Sequence, residues 1–163
     1  MPSIFVYEQT GRYGLAALLK PHGFSLTTAR NPEEALSYCN FAEKQFGVIV
    51  LEMDRLNFGA ADRSGHELIF FHSISLLPHG TPIILVAPDP SAFLHEFEQF
   101  GFKRIVEPEY LMEFLACKKS HGEEHCSLGE YDTYVVGVQA PVNAPAFVRL
   151  IEMIYDDVLH TPV

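Results

Sequence analysis

Residues 46–52 read Phe-Gly-Val-Ile-Val-Leu-Glu, and residues 82–87 read Pro-Ile-Ile-Leu-Val-Ala. Each is a short, unbroken apolar run rich in β-branched side chains. A strand facing solvent on one side would alternate apolar and polar residues. A strand covered on both faces does not, and this is the pattern of a central parallel strand. Two such runs predict a parallel sheet with a layer of helices on each side.

The flanking sequence fits that plan. Residues 3–7 form a third apolar strand candidate, and residues 24–29 (FSLTTA) a fourth. Between them Tyr13, Leu15, Ala16, Leu18 and Leu19 make a helical stripe that Pro21 and Gly23 close. Asn31, followed by Pro32, Glu33 and Glu34, has the chemistry of a helix N-cap and first turn, with the helix running to about residue 44. Residues 54–64 are polar, and a helix is predicted over 65–77. Ser91 is the expected cap of a helix ending near Phe100, in which Phe93, Phe97 and Phe100 form a core stripe. Of the adjacent Phe70 and Phe71, one is expected to face the sheet and the other to look partly outward. Residues 103–106 are a fifth short strand, and Pro108 opens a helix to about residue 119.

Regular alternation of strand and helix implies βαβ crossovers and a doubly wound, five-stranded, flavodoxin-like α/β sheet over residues 1–119. Residues 120–163 are expected to be a strand-helix extension packed on the same domain, with a strand over 134–138 and a helix over 145–159. A rival register makes 134–142 the fifth core strand and 103–119 an insertion. The even spacing of the earlier elements favours the first.

The chain has 163 residues, 48% of them hydrophobic and 20% charged, which excludes general disorder. No run of about 18 apolar residues predicts a membrane-spanning helix. The formal charge of −10 repels phosphate backbones and anionic lipids, so nucleic acid and membrane are not expected partners. The N-terminus lacks a basic, apolar leader, and the three cysteines contain no CxxC pair, so free thiols in a cytoplasmic setting are expected. Cys117, His121 and His125 recur every fourth residue, a weak zinc-ligand spacing without a partner cluster. No metal or other cofactor is expected. Residues 10–14 (TGRYG) sit where a phosphate-binding turn would, but contain neither GxGxxG nor GxxxxGK[ST] and read as a helix-start turn. Ser64-Gly65-His66 lacks the GxSxG elbow, and His66-Glu67 lacks a second histidine at HExxH spacing, so no hydrolase is expected.

Taken in order, residues 4–9 (IFVYEQ), 31–36 (NPEEAL), 46–52 (FGVIVLE), 64–69 (SGHELI), 81–87 (TPIILVA) and 101–108 (GFKRIVEP) resemble the receiver domain of bacterial response regulators. The resemblance implies a pocket at the strand ends. There an acidic pair helps hold Mg²⁺, an aspartate accepts phosphate, a Ser or Thr binds the phosphoryl group, and a lysine before a proline neutralises it. The matching positions here are Glu8 and Gln9, Glu52, Val86, and Glu107 followed by Pro108. The acceptor is lengthened, the hydroxyl is absent and the lysine is reversed in sign. The resemblance therefore implies a pseudo-receiver, no enzyme, acting by protein–protein contact in two-component signalling. Two alternatives are a ligand-binding or enzymatic flavodoxin-like domain using the strand ends near Glu8, Gly11, Glu52 and Asp54, and an atypical receiver phosphorylated at Asp54 with Mg²⁺. The last helix carries more apolar circumference than a surface helix needs. Phe147, Val148, Ile151, Met153, Ile154, Tyr155 and Val158 are thus the candidate contact with a protein partner or a second copy.

Overall fold

In the computed structural model, which describes residues 3–38, 46–54, 66–75, 81–121 and 134–160, the elements run β1 (Ser3–Glu8), α1 (Leu15–Leu19), β2 (Leu26–Ala29), α2 (Pro32–Tyr38), β3 (Phe46–Glu52), α3 (His66–Ile74), β4 (Ile83–Ala87), α4 (Leu94–Glu98), β5 (Arg104–Val106), α5 (Pro108–His121), β6 (Tyr134–Gln139) and α6 (Ala144–His160). All strand pairs are parallel, in the order β2-β1-β3-β4-β6-β5. Every residue of β3 and β4 is buried, as their unbroken apolar runs require. The edge strands β2 and β5 keep partly exposed residues.

Six strands replace the five expected. The element beside β4 is β6, with Ile84 opposite Val136 and Leu85 opposite Gly137. Residues 104–106 form the outer edge, paired only to β6 among the described residues. The tail is therefore not appended to a finished sheet. It supplies the fifth strand in spatial order, and the β5-α5 unit is the insertion. Composition explains this inversion. Residues 134–138 are apolar enough to be covered on both faces, whereas Arg104-Ile105-Val106 carries a charge suited to an edge.

Two cores flank the sheet. One gathers Leu15 and Leu19 of α1, Leu111, Phe114 and Leu115 of α5 and the inner face of α6 against Ile4, Val6, Val48, Val50 and Ile84. The other gathers Ala35 of α2, Phe70, Phe71 and Ile74 of α3 and Phe97 of α4 against Phe5, Tyr7, Ile49, Leu51 and Leu85. Phe70 and Phe71 are both buried, against the expectation that one looks outward. Phe70 stacks on Tyr7 at 4.9 Å between centroids, while Phe71 turns sideways onto Phe97 at 5.9 Å. The helix thus packs on both the sheet and its neighbour, and its exposed apolar residues are Leu68 and Ile69.

Asn31 caps α2 as predicted, accepting the Glu34 amide at 2.8 Å on its side-chain oxygen. Asn143 does the same for α6 through the Ala146 amide at 3.0 Å. Ser91 is not a helix cap. It lies in a 3₁₀ turn (Pro90–Phe93) and donates its hydroxyl to Asp89, so α4 begins later than expected. No helix among the described residues is long and apolar enough to cross a membrane.

The inner face of α6 is packed within the chain, not left exposed as the interface expectation requires. Phe147, Val148, Ile151, Ile154 and Tyr155 are all buried within the chain, and Met153 packs partly buried against the same core. Val158 lies outside the described side chains. The helix needs its wide apolar face because it covers the sheet while also contacting α1 and α5.

Candidate functional site

The strand ends meet in a continuous step of hydrogen bonds. The Gln9 amide donates to Glu52 O, the Met53 amide to Val86 O and the Ala140 amide to Ala87 O, at 2.8–3.0 Å. Register places Glu8 opposite Glu52 and Glu52 opposite Val86. Glu8, Gln9, Glu52, Asp54 and Val86 are thus brought to one place, as the sequence suggested.

Each of these polar groups is already engaged. Glu8 accepts the Leu15 amide at 2.8 Å, so its carboxylate caps α1, whose N-cap residue is the side-chain-less Gly14. Gln9 accepts the Asp54 amide at 2.8 Å on its side-chain oxygen and ties the exit of β3 to the exit of β1. Glu52 is fully buried. Its Oε1 accepts the Thr10 hydroxyl at 2.7 Å and the Gly11 amide at 2.9 Å. Its Oε2 is buried without a hydrogen-bond partner among the described residues. The β1–α1 turn closes over the carboxylate, and the two donors offset part of the cost of burying it. Gly11 makes this possible with φ of +66°, a conformation that a side chain disfavours. Asp54 points outward and pairs with Arg12 at 3.3 Å.

The turn itself has little left for a ligand. The amides of Gly11, Arg12 and Leu15 donate to Glu52, Thr10 and Glu8 respectively. A phosphate cradle needs such amides free, so residues 10–14 are a helix-start turn.

A receiver fold also implies Mg²⁺, and the residues present do not fit it. Mg²⁺ demands a near-octahedral set of oxygens. Here the carboxylates of Glu8, Glu52 and Asp54 are turned to Leu15, to the Thr10–Gly11 turn and to Arg12. Among the described residues no group of three His, Cys, Asp or Glu could hold a metal ion. Cys117 is disulfide-bonded, which corrects the expectation of free thiols and removes it as a zinc ligand; the side chains of His121 and His125 lie outside the description.

Glu107 and Pro108 do not join this group. Glu107 is exposed at the end of the edge strand, with β6 between it and β4, and Pro108 opens α5. The strand beside β4 ends in Gln139-Ala140-Pro141, so Ala140 stands where the family's order calls for the lysine. The lysine is absent, as expected, but its place is apolar rather than negative. Sequence reasoning missed Thr10 and Gly11 as partners of Glu52. Their position directly after β1, facing the end of β3 in any doubly wound sheet, was the available signal.

No family model and no curated protein matches this chain. Among solved structures it is similar to a response regulator receiver domain protein (CheY-like) from Methanospirillum hungatei JF-1, with a TM-score of 0.54 and 14% identity over 98% of this chain and 97% of that one. At that identity the similarity establishes a receiver-like, flavodoxin-like fold and nothing finer.

Proposed function

We propose that this chain is a receiver-fold signalling module that works by protein–protein contact and is not switched by phosphorylation at the end of β3. One observation carries the reading: Glu52, at the acceptor position, is buried and bonded to Thr10 and Gly11. The chain's own turn occupies the space over the acceptor. A phosphoryl group would add about −1.5 to −2 charge there, with no lysine among the described residues to offset it and with the Thr10 hydroxyl already donating to Glu52. No catalytic step, nucleic acid or membrane enters this reading. The formal charge of −10 favours a protein partner with a basic surface. The α6 face is committed to the core, so the contact falls elsewhere, and exposed Leu68 and Ile69 on α3 are apolar candidates for it.

The test is an amide NMR titration of the full chain with Mg²⁺ and then beryllofluoride, a mimic of aspartyl phosphate. The proposal expects no saturable shifts around Glu8, Glu52 and Asp54. Shifts clustered there and spreading to α4 would replace it with phosphorylation, and Asp54, exposed beside Arg12, would be the acceptor. A cytoplasmic setting belongs to the same reading, and the Cys117 disulfide tests it. Free Cys117 thiol in freshly lysed cells supports that compartment, and an intact bridge there counts against it.

A further inference from the structure

Neighbouring strands of this sheet lead to opposite faces at several places. At one, β1 leads to α1 on one core and β3 to α3 on the other. A second lies between β4 and β6. The chain leaving β4 runs through Asp89 and Pro90 to α4, on the core of α2 and α3. The chain leaving β6 runs to α6, on the core of α1 and α5. Diverging connections open a crevice at the carboxyl ends of the strands, the usual place for a ligand in an open α/β sheet.

A cleft of about 710 Å³ occupies that crevice. Its size falls within the range of about 300–1,000 Å³ typical of small-molecule sites. Ile105, Met112, Val138, Val142, Phe147 and Leu150 supply apolar wall. Asp89, Glu107 and Glu109 supply three carboxylates, and among the described residues the lining includes no lysine, arginine or histidine. Asp89 accepts the Ser91 hydroxyl. Glu107 and Glu109 form no side-chain hydrogen bond or ion pair among the described residues.

Two helix N-termini border the cleft and would by themselves favour an anion. Both are already answered. Pro108 at the start of α5 has no N–H, and Glu109 stands in that helix's first turn. Asn143 takes up the Ala146 amide at the start of α6. The balance of charge is therefore negative, which excludes nucleotides and other phosphorylated ligands here.

We infer that this second crevice is a binding site for a small organic cation, an amine carried on an apolar or aromatic body. The apolar wall takes the body, and the Glu107–Glu109 rim takes the ammonium group through charge-assisted hydrogen bonds. The site is independent of Glu52, so its fate and that of the proposed signalling role are separable.

The test uses the ¹⁵N-labelled full chain titrated with 2-phenylethylamine, with 2-phenylethanol as the uncharged counterpart. The amine should saturate shifts at Gly137, Val138 and Val142 and leave Thr10 and Gly11 unmoved. The alcohol, and the amine on the exposed-site double variant Glu107→Gln/Glu109→Gln, should each bind about tenfold more weakly, the loss of roughly one charge-assisted contact. Absence of saturable shifts in the cleft, equal binding of amine and alcohol, or unchanged affinity in the double variant would overturn the inference. So would inorganic phosphate shifting the same amides.

Discussion

The Thr10 hydroxyl donates to the Glu52 carboxylate at 2.7 Å, joining the first residues after β1 to the last residue of β3 across 42 positions of sequence. Glu52 is fully buried and uses this bond and the Gly11 amide as its hydrogen-bond donors. Removing one donor from a buried carboxylate exposes the full desolvation cost of that group. Thr10→Val is therefore expected to lower stability by about 1–3 kcal/mol, while Thr10→Ser, which keeps the hydroxyl, restores most of it. Urea unfolding of the three proteins reads the difference. Equal midpoints for Thr10→Val and the parent would show that the bond carries no weight.

Gly137 in β6 is demanded by packing rather than by backbone conformation. A Cβ there would stand 2.7 Å from Ile105 Cγ2 and 2.7 Å from Pro90 Cβ, closer than real contacts allow. Gly137→Ala must push β5 or the Pro90 turn away and is expected to cost about 1–3 kcal/mol, the usual penalty of overpacking. Thermal unfolding measures it. A neutral or stabilising substitution would mean that the β5 edge yields freely.

Helix α6 is expected to behave as core. Ile151→Ala and Ile154→Ala should each destabilise by about 2–5 kcal/mol, since both side chains are wholly buried. Neither should change the sedimentation coefficient of the folded protein, which an interface role would. Truncation after residue 119 should go further and abolish folding, because it removes the strand between β4 and β5.

Two buried tyrosines tie stability to alkaline pH. Burial raises the Tyr7 hydroxyl above its ordinary value of 10.0, and Glu67, Glu33 and Glu52 raise it further. Burial also raises Tyr134, against an opposing pull from Arg104. A raised folded-state value means that the folded protein keeps the proton the unfolded chain gives up. The contribution is complete below about pH 10 and is lost as pH rises through the folded values, by at most about 1.4 kcal/mol per unit for each tyrosine. Tyr7→Phe and Tyr134→Phe together should flatten this decline. Absorbance of tyrosinate checks it, because these two should ionise only with unfolding.

Much of this architecture was legible before any coordinates. The runs at 46–51 and 82–87 could be satisfied only by burial on both faces, and the caps at Asn31 and Pro32 follow from local chemistry. The gathering of Glu8, Gln9, Glu52 and Asp54 follows from strand ends in a doubly wound sheet. Three further matters rested with tertiary structure. Chain order does not set spatial order, so the choice between the two registers weighed for 103–119 and 134–142 was decided only by which strand took the covered position beside β4, and it fell to the rival one. A helix's apolar width does not say what covers it, so α6 became core because three neighbours converge on it. The direction of a single carboxylate depends on donors distant in sequence. Glu52 turns inward because Thr10 and Gly11, over 40 positions away in sequence, supply its donors.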